Sequence, residues 1–211
     1  KWAEPEKMGI KEAIRPPKPL RPRIEQAARR VEVQIQRLEQ ESSRLTARDK
    51  AMFAKIVEAY TTHDSQRANV LANELTEIRK MEKFITHAGL ALEQVVLRLN
   101  TVSELGDTVV TLAPAVSVLQ SVRVGISGIL PGVEKELGQV GTMLSEIIME
   151  SGQGTGMILD FGAANEDAQK ILEEAAMVAE QRVKQKFPEL PEGVPSLGGG
   201  QLSVRKDSTE P

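Results

Sequence analysis

The distribution of apolar residues predicts an all-α fold. The expected architecture is a long antiparallel helical hairpin followed by shorter helices, in a chain that forms polymers with its own copies. Three observations carry this. Ile24, Val31, Leu38, Leu45 and Met52 recur every seventh residue, and Ala28, Ile35 and Ile56 fall four after members of that series. Leu71, Ile78, Ile85, Leu92 and Leu99 form a second seam of the same period, flanked by Leu75 and Val96. The 211 residues include one Trp, one Tyr and four Phe, too few rings for an ordinary globular core, so the 40% apolar content is spent on helix seams. A rod or an open helical array is the expected shape.

Each element follows in chain order. Residues 1–23 form a basic segment with Pro5, Pro16, Pro17, Pro19 and Pro22, which leave room for only a short helix around 7–14. The helical core spans 24–150. Its first helix is predicted over 24–60, about 55 Å long at 1.5 Å per residue, with Ser42 and Asp49 interrupting the seam. Thr61–Ser65 is the turn, with Asp64 or Ser65 as N-cap, and the second long helix covers 65–106. Pro114 and Pro131 suit first helical turns, so short helices are predicted at 114–129 and 131–150. The glycines at 152, 154 and 156 (Gly152, Gly154, Gly156) predict a hinge within 151–164. An acidic helix follows over 165–186, then a Pro-rich segment at 187–197 and a polar, disordered tail at 198–211.

Composition removes several classes of function. No cysteine is present, which excludes disulfides and thiolate metal sites, and the two histidines, His63 and His87, have no ligand spacing around them. The apolar run from Thr108 to Gly132 is broken by Pro114, Gln120 and Arg123, so no membrane span is expected and the reading is a reduced, cytosolic compartment. The chain begins at Lys1 rather than Met, which leaves open whether residues precede it. Gly152–Gly156 lacks both the G-x-G-x-x-G spacing and a preceding strand, so a phosphate loop is rejected. No nucleophile has a plausible base, and neither a catalytic site nor a cofactor or metal is expected.

Charge is unevenly placed. Residues 1–60 carry 14 basic and 9 acidic side chains, whereas residues 101–185 carry 5 basic and 12 acidic. The front of such a chain can be drawn to an anionic surface, and the rear can cover the front. Arg23, Arg30, Arg37 and Arg44 each precede a seam position and form one stripe pointing away from the hairpin partner. That stripe suits anionic lipid or the acidic surface of a neighbouring subunit; a merely solvated helix face is the ordinary alternative. Trp2 among Lys1, Lys7 and Lys11 suits a membrane-interface anchor, against the alternative of packing on the hairpin or disorder. Nucleic acid is disfavoured, because the stripe lacks interleaved aromatics and the net charge is −3. In Phe187-Pro188-Glu189-Leu190-Pro191-Glu192-Gly193-Val194-Pro195, the prolines stiffen an extended peptide from which Phe187, Leu190 and Val194 project as anchors.

A basic hairpin, short helices, an acidic helix and a Pro-rich docking peptide, in that order, resemble ESCRT-III proteins. Arg48-Asp49-Lys50-Ala51-Met52-Phe53, Ala72-Asn73-Glu74-Leu75-Thr76-Glu77-Ile78-Arg79-Lys80-Met81 and Leu112-Ala113-Pro114-Ala115-Val116 resemble the archaeal cell-division branch, over about residues 24–195. The resemblance implies a non-enzymatic subunit that polymerises with itself and with paralogues on the inner face of the cell membrane at the division site, constricting it during cytokinesis. It also implies disassembly by a AAA ATPase whose MIT domain takes an apolar-Pro-x-apolar-Pro peptide. Phe187, Pro188, Leu190 and Pro191 fit that frame; a later frame using Pro191, Val194 and Pro195 has one residue more, and the choice between them stays open. No winged-helix-like extension ends the chain, so recruitment by co-polymerisation is the expectation. The rival expectation is a soluble hairpin scaffold or adaptor without membrane activity.

Overall fold

A computed structural model describes residues 19–105, 109–155 and 161–190. The side chains of 110, 152–155 and 161–163 lie outside the description. All of the regular structure described is helical: α1 Leu20–Thr61, α2 Ser65–Leu105, a 3-10 turn Val109–Leu112, α3 Ala113–Ile126, α4 Pro131–Thr155 and α5 Phe161–Lys186. The all-α hairpin is as expected.

Helix α1 starts earlier than the expected residue 24. Pro19 stands at its N-cap and Pro22 falls in the first turn, where backbone N–H groups have no intrahelical acceptor and a proline loses nothing. The seam is buried as its period predicts: Ile24, Val31, Leu38, Leu45 and Met52 on α1 face Ile78, Ile85, Leu92 and Leu99 on α2, with Leu71 half-buried. Each fully buried Leu or Ile contributes roughly 1.5–3 kcal/mol.

The turn between the long helices is a Schellman motif. His63 N–H donates to the Tyr60 carbonyl (3.1 Å) and Asp64 N–H to the Ala59 carbonyl (2.9 Å), with His63 left-handed at φ 59°. Asp64 then caps α2, its Oδ1 accepting the Arg67 N–H at 3.1 Å. A Cβ at a left-handed position is sterically costly. His63→Gly is therefore expected to stabilise the chain by up to about 1 kcal/mol in urea unfolding; a loss of stability would refute the turn assignment.

The remaining helices depart from an open array. Leu112, Val118, Leu119, Val122, Ile126, Val133, Leu137, Val140, Leu144 and Ile147 join the hairpin residues in one continuous core. Helix α3 packs on α2, α4 lies against α1 and α3, and α5 packs on α2 and α3. Gly125 lets α3 approach closely: a Cβ there would collide with the Phe84 ring on α2.

Three boundaries also move. Helix α3 ends at Ile126 instead of 129, because Ser127 turns out of the helix (ψ 128°), Gly128 is left-handed (φ 80°), and the residue before Pro131 avoids helical geometry. Helix α4 continues past 150 to Thr155, so Gly152 and Gly154, expected in a hinge, have helical backbone. Glycine weakens a helix by about 1 kcal/mol without removing a donor, so two near a helix end do not stop it as proline would. Gly156 lies outside the described residues. Helix α5 begins at Phe161, before the expected Asn165.

Candidate functional site

The basic stripe is divided by α4. Arg23 pairs with Glu150 and, at 3.9 Å, with Glu146. Arg30 Nη2 donates to Glu136 Oε2 at 2.9 Å and to Gln139 Oε1 at 2.5 Å. The stripe does point away from α2, as its phase requires, but its first two members meet carboxylates instead of solvent. An acidic rear thus covers part of a basic front, through α4, while the acidic helix α5 lies on α2 of the hairpin and on α3. Partly exposed pairs of this kind contribute at most about 1 kcal/mol each. Apolar packing holds α4 in place, and the charges select its face.

Arg37 and Arg44 remain exposed. Arg37 donates to Gln34 Oε1 at 3.2 Å, and Arg44 pairs with Glu41 at 3.3 Å while its side chain stays 78% exposed. Gln34, which the sequence pattern does not single out, is buried and donates from Nε2 to the Arg30 carbonyl at 3.2 Å. Trp2 lies outside the described residues, as do Pro191, Val194 and Pro195.

The two polar interruptions of the α1 seam have partners on α2. Asp49, 1% exposed, accepts from Arg79 Nε at 2.7 Å and Nη2 at 3.4 Å. Ser42 Oγ donates to Glu82 Oε1 at 2.6 Å, and Glu82 is fully buried. Buried polar pairs inside an apolar seam hold one register, because a slipped register would strand a charge. Folding the chain about His63 sets residue 42 opposite about 84 and residue 49 opposite about 77, each two residues, less than one helical turn, from the observed partner.

These pairs also form the floor on which the end of α5 rests. Lys186 Nζ donates to Glu82 Oε1 at 2.5 Å and to Ser42 Oγ at 3.0 Å. Phe187 is 8% exposed, with the Arg79 guanidinium carbon 5.2 Å from its ring centroid. Its N–H donates to the Val183 carbonyl at 3.2 Å, so it continues the last turn of α5. Leu190 is half-buried against the core, and Pro188 is exposed. The first two anchors of the expected docking peptide are therefore packed against the fold, Phe187 on the hairpin and Leu190 on the core, whereas an extended, displayed peptide was expected.

Farther along α5, His87 Nε2 lies 2.9 Å from the Leu172 carbonyl oxygen, an acceptor, so Nε2 carries the proton. Lys83 pairs with Glu180 at 3.4 Å. Hydrogen bonding and attraction to Lys184, with a smaller contribution from Lys83, hold the Glu180 carboxyl below its ordinary range. No helix among the described residues is long and apolar enough to cross a membrane.

Comparison with known proteins places the fold in a family. No protein-family profile matches the chain, and no solved structure matches it. Cell division protein B1 of Sulfolobus acidocaldarius is 43% identical over 173 residues, covering 82% of this chain and 81% of that protein. Cell division protein B of the same organism is 34% identical over 168 residues, 80% of this chain and 64% of that protein. Identity at that level over four-fifths of both chains is not confined to one motif: the chain belongs to the family of the cell division B proteins.

Proposed function

We propose that this chain is a structural, non-enzymatic subunit of an ESCRT-III-type filament acting in cell division. It binds the anionic inner face of the membrane through α1, co-polymerises with related paralogues, and is removed by a AAA ATPase that docks on the Phe187–Pro195 segment. The observation that carries the reading is the 43% identity to Cell division protein B1 across 82% of the chain. The α1 stripe supports the membrane contact: Arg37 and Arg44 face outward in the folded-back state. Lifting α4 would add Arg23 and Arg30 to the same surface. Basic residues near an anionic surface contribute about 1 kcal/mol each, and a polymer multiplies that weak attraction.

Sedimentation with vesicles containing anionic lipid tests this. Reversing Arg30, Arg37 and Arg44 to Glu is expected to weaken vesicle binding by about a hundredfold, the loss of three contacts of about 1 kcal/mol each, while helical circular dichroism is retained. Unchanged sedimentation of the folded variant removes the stripe from the mechanism. Electron microscopy of the wild-type protein on the same vesicles should show filaments or coated tubes; bare vesicles would favour a soluble scaffold.

A further inference from the structure

We propose that residues 1–18 of this chain dock along one side of the hairpin. Met8, Ile10 and Ile14 enter an apolar groove at Gly89, and the basic residues between and beside them pair with carboxylates on its rim. Neither membrane binding nor the Phe187–Pro195 segment enters into this.

The groove holds space that no described side chain uses. Gly89 stands in the middle of α2, where glycine is less favourable than any residue but proline, and a Cβ built there would have no atom within 4 Å. Gly125 shows the contrast, since its missing Cβ makes way for the Phe84 ring. Around Gly89 a groove of about 280 Å³ opens between the long helices, walled by Ile35, Leu38, Ile85 and Leu90. Ile35 and Leu90 are only half-buried, so the walls present apolar surface to whatever enters. A second opening, of about 410 Å³, lies at the base of the hairpin beside Leu20, Ile24 and Val102. Arg21 lines this base opening, and Ile35 and Ser42 line the groove at Gly89. These three stand seven or fourteen residues apart, so both openings lie on one side of α1. Helix α4 covers another side, where Arg23 and Arg30 meet its carboxylates.

The rim is acidic. Glu39 and Glu93 border the groove, Glu104 borders the base opening, and Glu32, seven before Glu39, falls between them on α1. All four are exposed, and none of their carboxylates has a partner among the described residues. Of the cations nearby, Arg21 is already paired with Glu25, and Arg182 stands at one edge of the groove. An apolar floor inside such a rim suits a ligand that is both apolar and basic.

Residues 1–18 have that chemistry and the reach. They carry Lys1, Lys7, Lys11, Arg15 and Lys18 against Glu4, Glu6 and Glu12, with Met8, Ile10 and Ile14 interleaved. Lys7 and Lys11 are four apart, as are Ile10 and Ile14, so in a short helix each pair shares a face. Residues 191–211, at the other end of the chain, carry two basic and three acidic side chains and lack this complementarity. Leu20, the first residue of α1, itself lines the base opening, so the segment enters the face at that point. From there to the level of Leu38 is about 27 Å of helix. Eighteen extended residues span up to about 60 Å, which leaves length for the reversal. A segment held there is withheld from other partners, a lipid surface included, whose apparent dissociation constant is the intrinsic one divided by the fraction undocked.

Amide exchange, read by mass spectrometry on the full chain, tests this against a synthetic 1–18 peptide. Exchange over residues 6–15 is expected to be at least about tenfold slower in the chain than in the peptide. Gly89→Leu fills the groove with its own side chain, at a site with room for a Cβ and with a better helix former. It should bring exchange over 6–15 to within about threefold of the peptide. The double change Glu39→Lys, Glu93→Lys should do the same by reversing the rim, and decides the matter should Gly89→Leu disturb the hairpin. Equal exchange in the wild-type chain and the peptide overturns the proposal. So does slow exchange that survives either variant in a folded chain, since the segment then lies elsewhere. Protection that grows across a tenfold rise in protein concentration assigns the groove to the segment of a second copy, and overturns docking within one chain.

Discussion

Arg79→Ala is expected to lower the stability of the folded chain by about 3 kcal/mol, the low end of the range for breaking a buried ion pair from one side. Asp49 is 1% exposed and draws both of its described side-chain hydrogen bonds from Arg79. Truncating the arginine leaves a carboxylate between two apolar helices without the cation it pairs with among the described residues. For a chain of this size each kcal/mol shifts the melting temperature by about 2–4 °C, so urea and thermal unfolding both read the change easily. The double change Asp49→Leu, Arg79→Leu should recover most of the loss, because the seam then carries apolar groups at both sites and no stranded charge. An Arg79→Ala cost below about 1 kcal/mol, the value of an exposed pair, would mean that Asp49 is not enclosed between the helices. Arg79 also holds the Phe187 ring, so amide exchange at the end of α5 should accelerate in the same variant.

Leu99→Ala and Leu97→Ala form the second test, on two leucines of one helix, two positions apart. Leu99 is 0% exposed and Leu97 is 60% exposed. The first substitution removes a side chain from a filled seam and should cost about 3–5 kcal/mol, the transfer energy of the lost groups plus the cavity left behind. The second should stay within about 0.5 kcal/mol, with its sign set by the better helix propensity of alanine. Comparable effects at the two positions would mean that α2 turns a different face toward α1. A large effect at Leu97 in assembled protein, absent in the dilute monomer, would instead mark that face as a contact between copies.

The hairpin was legible because a seven-residue period in Leu, Ile and Val has a single structural solution at this length. The helix must turn that stripe inward, and a matching stripe forty-odd residues on supplies the partner. Ser42 and Asp49 were legible as interruptions, but not as cross-helix pairs, because their partners depend on which residues the turn sets opposite one another. The stripe of Arg23, Arg30, Arg37 and Arg44 was legible as a line of charge. That α4 would take Arg23 and Arg30 was not, since helical phase says where a side chain points and nothing about what lies there. The Gly152–Gly154 stretch misled for a local reason: glycine permits a break without requiring one.

Periodicity, proline placement and the turn residues by themselves determined that this chain is helical, that its first two helices pair antiparallel, and that its positive and negative charge lie in different halves. Those are local or nearest-neighbour properties, set by backbone donors, side-chain direction and apolar spacing. Only the tertiary structure decided that α3, α4 and α5 fold back onto the hairpin, that α4 covers half of the basic stripe, and that Phe187 rests on Arg79 beside the Lys186–Glu82 pair. Most of those contacts join residues roughly a hundred positions apart. Their existence depends on how several weak helix faces are buried together, a sum over the whole fold that no single stretch of residues contains.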